Sequence, residues 1–164
     1  MKKLFMALVL LAIIASGLLV FLDQNGDNDD NKSNTSTNSS QTLSYAGKGL
    51  SELSKDKLND KSITVLDVSN NNLTGSLPAE IRELTNLVEI KASNNKLTGI
   101  PAEIGQLSKL KVADFSNNDL SGLPLEIGNL SNLETLDLRG NPNISKYDIS
   151  LIQPKIPNAK ILTD

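Results

Sequence analysis

The side chains with the widest chemical reach in this chain are amides and carboxylates held at fixed intervals. Asn71, Asn95, Asn118 and Asn141 stand 24, 23 and 23 residues apart. A primary amide both donates and accepts, so its chemistry is the satisfaction of backbone groups rather than bond breaking. Upstream of each stands a charged residue, Asp67, Lys91, Asp114 and Asp137. Paired carboxylates can run glycosidase chemistry. Acids that recur at repeat offsets read instead as structural or solvated groups, since a short repeat array lacks the convergent pocket of a catalytic site. The chain has no His and no Cys. That excludes Ser-His-Asp triads, Cys-His dyads, imidazole and thiolate metal ligands, disulfides and a histidine pH switch. The expectation is a protein that is not an enzyme, with no catalytic residue, no cofactor and no metal.

Each asparagine closes the same phrase: Ile63-x-x-Leu66-x-Val68-x-x-Asn71-x-Leu73, Leu87-x-x-Ile90-x-Ala92-x-x-Asn95-x-Leu97, Leu110-x-x-Ala113-x-Phe115-x-x-Asn118-x-Leu120 and Leu133-x-x-Leu136-x-Leu138-x-x-Asn141. A fixed period in the twenties implies one small unit stacked on copies of itself, because no single unit buries its own apolar face. The alternation in Leu66-Asp67-Val68 and its equivalents predicts a short strand with one face buried. Each repeat then contributes one strand to a parallel sheet, and the asparagine amides, stacked where the chain turns off that sheet, form a ladder. Downstream, Leu77-Pro78-Ala79-Glu80-Ile81, Ile100-Pro101-Ala102-Glu103-Ile104 and Leu123-Pro124-Leu125-Glu126-Ile127 place Pro for the first position of a short helical turn and an acid in that turn. Leu84, Leu107 and Leu130 return the chain to the core.

With these residues in view, the chain resembles the leucine-rich repeat family. The Leu-Pro-x-Glu-Ile-Gly-x-Leu-x-x-Leu halves at 100–110 and 123–133 are similar to the Ras-suppressor-like class, and Leu73-Thr74-Gly75-Ser76-Leu77-Pro78 to the plant-receptor type. The resemblance spans residues 43–164. It implies an α/β fold: a right-handed solenoid with a parallel concave sheet and short helical turns on the convex side. Leu43 to Leu50 repeats the phrase with Lys48 in the asparagine slot, which makes 43–62 an N-terminal cap before repeats 63–144. In the C-terminal cap, 145–164, Ser145-x-x-Asp148 reads as a capping box opening a helix near 146–153. Pro154 and Pro157 stop that helix, and Lys160-Ile161-Leu162 reads as a last edge strand. The expectation is a complete small solenoid.

Residues 1–22 carry a different signal. Met1-Lys2-Lys3 precedes an apolar run from Leu4 to Leu22 broken only by Ser16, long enough at helical rise, about 28 Å, to cross a bilayer. It reads as an uncleaved transmembrane anchor, with Lys2 and Lys3 cytoplasmic and the repeats outside. The alternative is a secretory signal cleaved after Ala15-Ser16-Gly17, which would leave the apolar Leu18–Leu22 at the mature terminus. Residues 23–42, almost wholly polar, read as a flexible stalk. Asp23-Gln24-Asn25-Gly26-Asp27 has calcium-loop spacing, but Asn28 and Asn34 occupy the slots where an EF-hand needs Gly and an acid. Formal charge is −3 and aromatics make up 3%. Residues 43–164 hold 13 basic and 15 acidic groups, so nucleic-acid binding, which needs a basic stripe, is not expected. The absence of Cys departs from cysteine-capped animal leucine-rich repeat proteins and fits a bacterial cell envelope better.

The resemblance implies binding on the concave face. Strand alternation puts there Val65, Asp67, Ser69 and Asn70; Glu89, Lys91, Ser93 and Asn94; Val112, Asp114, Ser116 and Asn117; and Thr135, Asp137, Arg139 and Gly140. Lys91 is expected to pair across strands with Asp67 and Asp114, and Arg139 and Lys111 to offset the like charges of Asp114 and Asp137. The recurrent Ser-Asn pairs read as turn geometry. The expected partner is a protein or peptide bound by a monomer in the membrane. A surface spacer without a discrete ligand and a cytoplasmic-facing scaffold are the other readings.

Overall fold

The structure, a computed structural model, describes residues 40–164. The run Leu4–Leu22, the stalk up to residue 39 and the calcium-like motif lie outside the described residues. Among those described, no helix is long and apolar enough to cross a membrane.

Six three-residue strands form one parallel sheet: β1 (Thr42–Ser44), β2 (Val65–Asp67), β4 (Glu89–Lys91), β6 (Val112–Asp114), β7 (Thr135–Asp137) and β8 (Lys160–Leu162). Thr42, placed by the sequence in the stalk, already belongs to β1. The registers pair Leu43, Leu66, Ile90, Ala113, Leu136 and Ile161 in one row. The four central members of that row are buried, and Leu43 and Ile161 close its ends half-buried. Val68, Ala92, Phe115 and Leu138 form a second buried row. Phe115, fully buried, falls beside two alanines, Ala113 on its own strand and Ala92 one turn earlier, so large and small residues share a constant volume.

The helical turns are 3-10 turns at Ala79–Glu83, Ala102–Gln106 and Leu125–Asn129. Pro78, Pro101 and Pro124 stand one residue before them, in extended conformation, not at the first helical position as the sequence suggested. Their carbonyls accept from the amides of Ile81, Ile104 and Ile127 at 3.0, 3.1 and 3.2 Å. Proline fits this place because its φ is preset and its missing N–H has no partner to lose. A second, two-stranded sheet joins β3 (Thr74–Gly75) to β5 (Lys96–Leu97) in parallel. The sequence reading did not anticipate it.

Side chains hold the backbone at both ends of the described stack. Ser145 Oγ accepts from the Asp148 amide at 3.1 Å and starts α1 (Lys146–Ile152). Asp148 does not close a reciprocal capping box; its Oδ2 accepts from the Leu123 amide at 3.0 Å and ties the cap to the last repeat. Asp164 Oδ2 accepts from the Gly140 amide at 2.7 Å, in the place where a further turn would offer a carbonyl, as Arg139 O does to the Asn117 amide at 2.7 Å. At the other end, Asn71 Oδ1 accepts from the amides of Lys48 and Leu50, both at 3.0 Å, which puts Lys48 in the asparagine slot of the cap.

Candidate functional site

The concave face is held rigid by the amides behind it. Each asparagine Oδ1 accepts from the backbone of the preceding turn: Leu73 N to Asn95 at 3.0 Å, Leu97 N to Asn118 at 2.9 Å, Leu120 N to Asn141 at 3.0 Å. Each Nδ2 donates to a carbonyl of its own turn and to one in the turn before. Val68 O, Ala92 O and Phe115 O therefore each accept from two successive asparagines. The residue before each of the first three, Asn70, Asn94 and Asn117, has φ of 57°, 56° and 54°, and Gly47 and Gly140 take the same place in the flanking turns at 65° and 70°. Asparagine tolerates this left-handed conformation better than most residues. The Ser-Asn pairs are thus turn geometry, as their uniformity suggested.

In front of the ladder the charged residues sort themselves. Asp67 Oδ1 accepts from the Ser69 amide at 3.0 Å and from its Oγ at 2.7 Å. Asp114 does the same with Ser116, at 2.9 and 2.7 Å. In the last repeat Arg139 replaces the serine: its amide donates to Asp137 Oδ1 at 3.1 Å, and its guanidinium grips both carboxylate oxygens. Arg139 offsets the Asp114–Asp137 neighbours as expected. Lys111 does not; it bonds Glu134 at 2.8 Å. Lys91 lies 3.6 Å from Glu89 on its own strand and forms no ion pair with Asp67 or Asp114, whose inner oxygens are already turned toward their serines.

Of the residues assigned to this face, Val65, Asp67, Glu89, Lys91, Ser93, Val112, Asp114, Ser116 and Thr135 are half-buried and Arg139 is exposed. Ser69 and Asp137 are instead buried, at 8% and 9% exposure. The sequence also missed a second polar seam where the chain climbs back to the sheet. Asn86 Nδ2 reaches Lys61 O at 2.8 Å, Lys109 Nζ reaches Asn86 Oδ1 at 2.6 Å, and Asn132 Nδ2 reaches Ser108 O at 2.7 Å. Its signal was present in the polar-polar-Leu triplets that end at Leu87, Leu110 and Leu133. Among the described residues no acidic group of three or more gathers in a metal-holding arrangement.

Hydrogen bonding from Arg139 holds the Asp137 carboxyl below the ordinary carboxylate range, against the upward push of burial. A depressed folded value means that the stabilisation is present above the ordinary Asp pKa of about 3.9 and is lost as pH falls through the folded one. With the Arg139 side chain 57% exposed, solvent screening keeps the contribution of the pair small. Asp137→Asn should therefore be less stable than the parent near pH 7, with the deficit closing in strong acid, in paired urea titrations. A deficit of equal size at both would assign the cost to packing instead.

The profile for two copies of leucine-rich repeats matches residues 108–151, and that for a single leucine-rich repeat matches residues 62–84. This chain is a leucine-rich repeat protein. The leucine-rich repeat domain superposes on a leucine-rich repeat protein of Leptospira interrogans with a TM-score of 0.64 and 38% identity, over 68% of this chain and 28% of that one. It is also similar to the plant peptide hormone receptor RGFR1, solved in complex with RGF2: TM-score 0.59 and 30% identity over 77% of this chain and 20% of the receptor. PEPR1, solved with AtPEP1, gives a TM-score of 0.60 and 26% identity over 68% and 16%. This chain thus spans less than a third of the length of each. No curated protein sequence matches it.

Proposed function

We propose that this chain is a non-catalytic module that binds a protein or peptide through its concave sheet. In this reading Leu4–Leu22 tethers it to a bacterial cell membrane, and the repeats face outward. Leucine-rich repeat folds are commonly protein-binding modules, and two of the similar structures are receptors solved with a ligand. The observation that carries the reading is the division of labour on the sheet. The amide ladder and the Asp-Ser clasps serve the fold, while the outward edges of Val65, Glu89, Lys91 and Val112 have no part in the core. Aromatic anchors are absent from this face, so affinity per molecule should be modest, and clustering in a membrane would raise it by avidity.

Proximity labelling from the repeat domain on living cells identifies the partner, and titration of that partner tests the face. Lys91→Glu with Glu89→Lys should weaken binding at least about tenfold, with the melting curve unchanged. Neutralising the convex acids Glu80, Glu103 and Glu126 should leave binding intact. The reverse outcome would move the ligand to the convex side. For the tether, full-length protein should stay with membranes after alkaline extraction; a soluble mature form beginning near Leu18 would establish a cleaved signal instead.

A further inference from the structure

Among the described residues, strand β3 has a partner on one side only. Its bonds to β5 run through Leu73 O, which accepts from the Lys96 amide at 2.8 Å, and Gly75 O, which accepts from the Thr98 amide at 2.8 Å. Successive peptide groups of a strand point to opposite sides, so the N–H and C=O of Thr74 face away from β5, toward the N-terminal cap. The cap does not meet them with a strand of its own. Leu50 O still accepts from the Asn72 amide at 2.8 Å, but the chain then bends away through Ser51 and Glu52 into the turn at Lys55–Lys57. No backbone hydrogen bond joins residues 51–56 to residues 74–77.

The separation leaves a groove of about 570 Å³ along the free edge of β3. Buried leucines, Leu73, Leu77 and Leu97 among them, contribute to its lining, and its charged residues are Glu52, Asp56 and Glu80 against the single cation Lys55. Thr74, Gly75 and Ser76 are exposed, and a Cβ placed on Gly75, whose φ is +68°, would meet nothing within 4 Å.

We propose that this groove is a second binding site, separate from the concave face, for a short extended peptide bearing Lys or Arg, added as a strand along β3. Two independent features select that occupant. An unpaired strand edge is a template for another strand, whose main-chain bonds supply affinity while flanking pockets read its side chains. The lining carries three acids to one base, which favours cationic side chains on that strand. A groove of this size lies in the range of small-ligand clefts, about 300–1,000 Å³.

The test uses the full-length protein and fluorescein-labelled acetyl-Val-Lys-Val-Arg-Val-amide, followed by anisotropy. Saturable one-to-one binding with a Kd below about 1 mM is expected. Reversing the acids with Glu52→Lys, Asp56→Lys and Glu80→Lys should weaken it at least tenfold, with the melting curve as the check on folding. Backbone N-methylation of the peptide leaves the protein untouched: methyl groups on one alternate set of residues should abolish binding and those on the other set should be tolerated. The Lys91→Glu, Glu89→Lys variant should bind as the parent does. Absence of saturable binding overturns the site, as does tolerance of both methylation patterns or undiminished affinity in a folded charge-reversed protein. Loss of binding in the concave variant would place the peptide on the sheet, and competition by rising protein concentration would give the groove to a second copy; either result also overturns it.

Discussion

Asn118→Ala should lower the stability of the repeat domain by about 3 kcal/mol, the cost of an orphaned buried donor added to the loss of several shared bonds. Asn118 is 4% exposed and sits mid-ladder. Its Oδ1 takes the Leu97 amide at 2.9 Å, and its Nδ2 reaches Ala92 O and Phe115 O at 3.0 Å and Ser116 O at 3.2 Å. Alanine leaves the Leu97 N–H without that acceptor in a space closed to water. The carbonyls suffer less, because Ala92 O keeps Asn95 and Phe115 O keeps Asn141. Asn94 is the control, and it tests phase by one residue. Its amide only reaches the exposed Asn70 Oδ1 at 3.2 Å, but its φ of 56° is one that alanine adopts poorly, so Asn94→Ala should cost about 1 kcal/mol. Asn94→Gly removes that strain and should be nearly silent. Urea midpoints at constant m-value decide it; an Asn118→Ala variant no weaker than Asn94→Gly would mean that the amides do not carry the stack.

The repeat was legible because each of its parts has a local cause. Strand alternation, the asparagine after the strand and the proline before the turn are set within a few residues, and their recurrence fixes which positions stack. The registers Leu66 to Ile90 to Ala113 to Leu136 follow from the period alone. The slot of Lys48 was legible for the same reason, since it falls one period before Asn71. What escaped was everything decided between repeats or by a choice of partner. The β3–β5 pair is only two residues long on each side, too short to carry a period. Asp148 chose the Leu123 amide over its own helix start, a preference that only the placement of the cap reveals.

On the concave face, the sequence identified which side chains leave the core but not what they do there. Cross-strand neighbours about 4.8 Å apart suggested that Lys91 would pair with the acids beside it. A shorter-range competitor prevailed. Asp67 and Asp114 each stand two residues before a serine amide and hydroxyl, and that local clasp forms without ordering a long side chain, whereas a lysine pair must. Lys91, without the clasp, is left to Glu89. The Asp-x-Ser spacing was visible in both repeats, so this part of the site was readable from turn chemistry even though pairing rules pointed elsewhere.

Gly105→Ala should destabilise the domain by about 2 kcal/mol through overpacking, whereas Gly128→Ala, at the same offset one repeat later, should change stability little. Both glycines lie in 3-10 turns, and helical propensity alone favours alanine by up to about 1 kcal/mol at either site. Space decides between them. A Cβ on Gly105 would stand 2.8 Å from Glu126 Cβ and 2.9 Å from its carbonyl carbon, with the carbonyl oxygen nearer still. Those are main-chain positions of the next turn, and they cannot retreat without opening the stack between Ala102–Gln106 and Leu125–Asn129. The atoms nearest a Cβ on Gly128 all belong to Lys155: Cδ at 2.5 Å and Cγ at 3.3 Å, in a flexible, exposed side chain that can swing aside, and Cβ at 3.1 Å, which need give only a few tenths of an ångström. Arg82 occupies the equivalent place in the first repeat, so the sequence presents the position as a tolerant one. Thermal melts of the two alanine variants settle the matter. A drop for Gly105→Ala with none for Gly128→Ala fits a stack whose spacing is set by backbone contact, and equal melts would mean that the turns are free to separate.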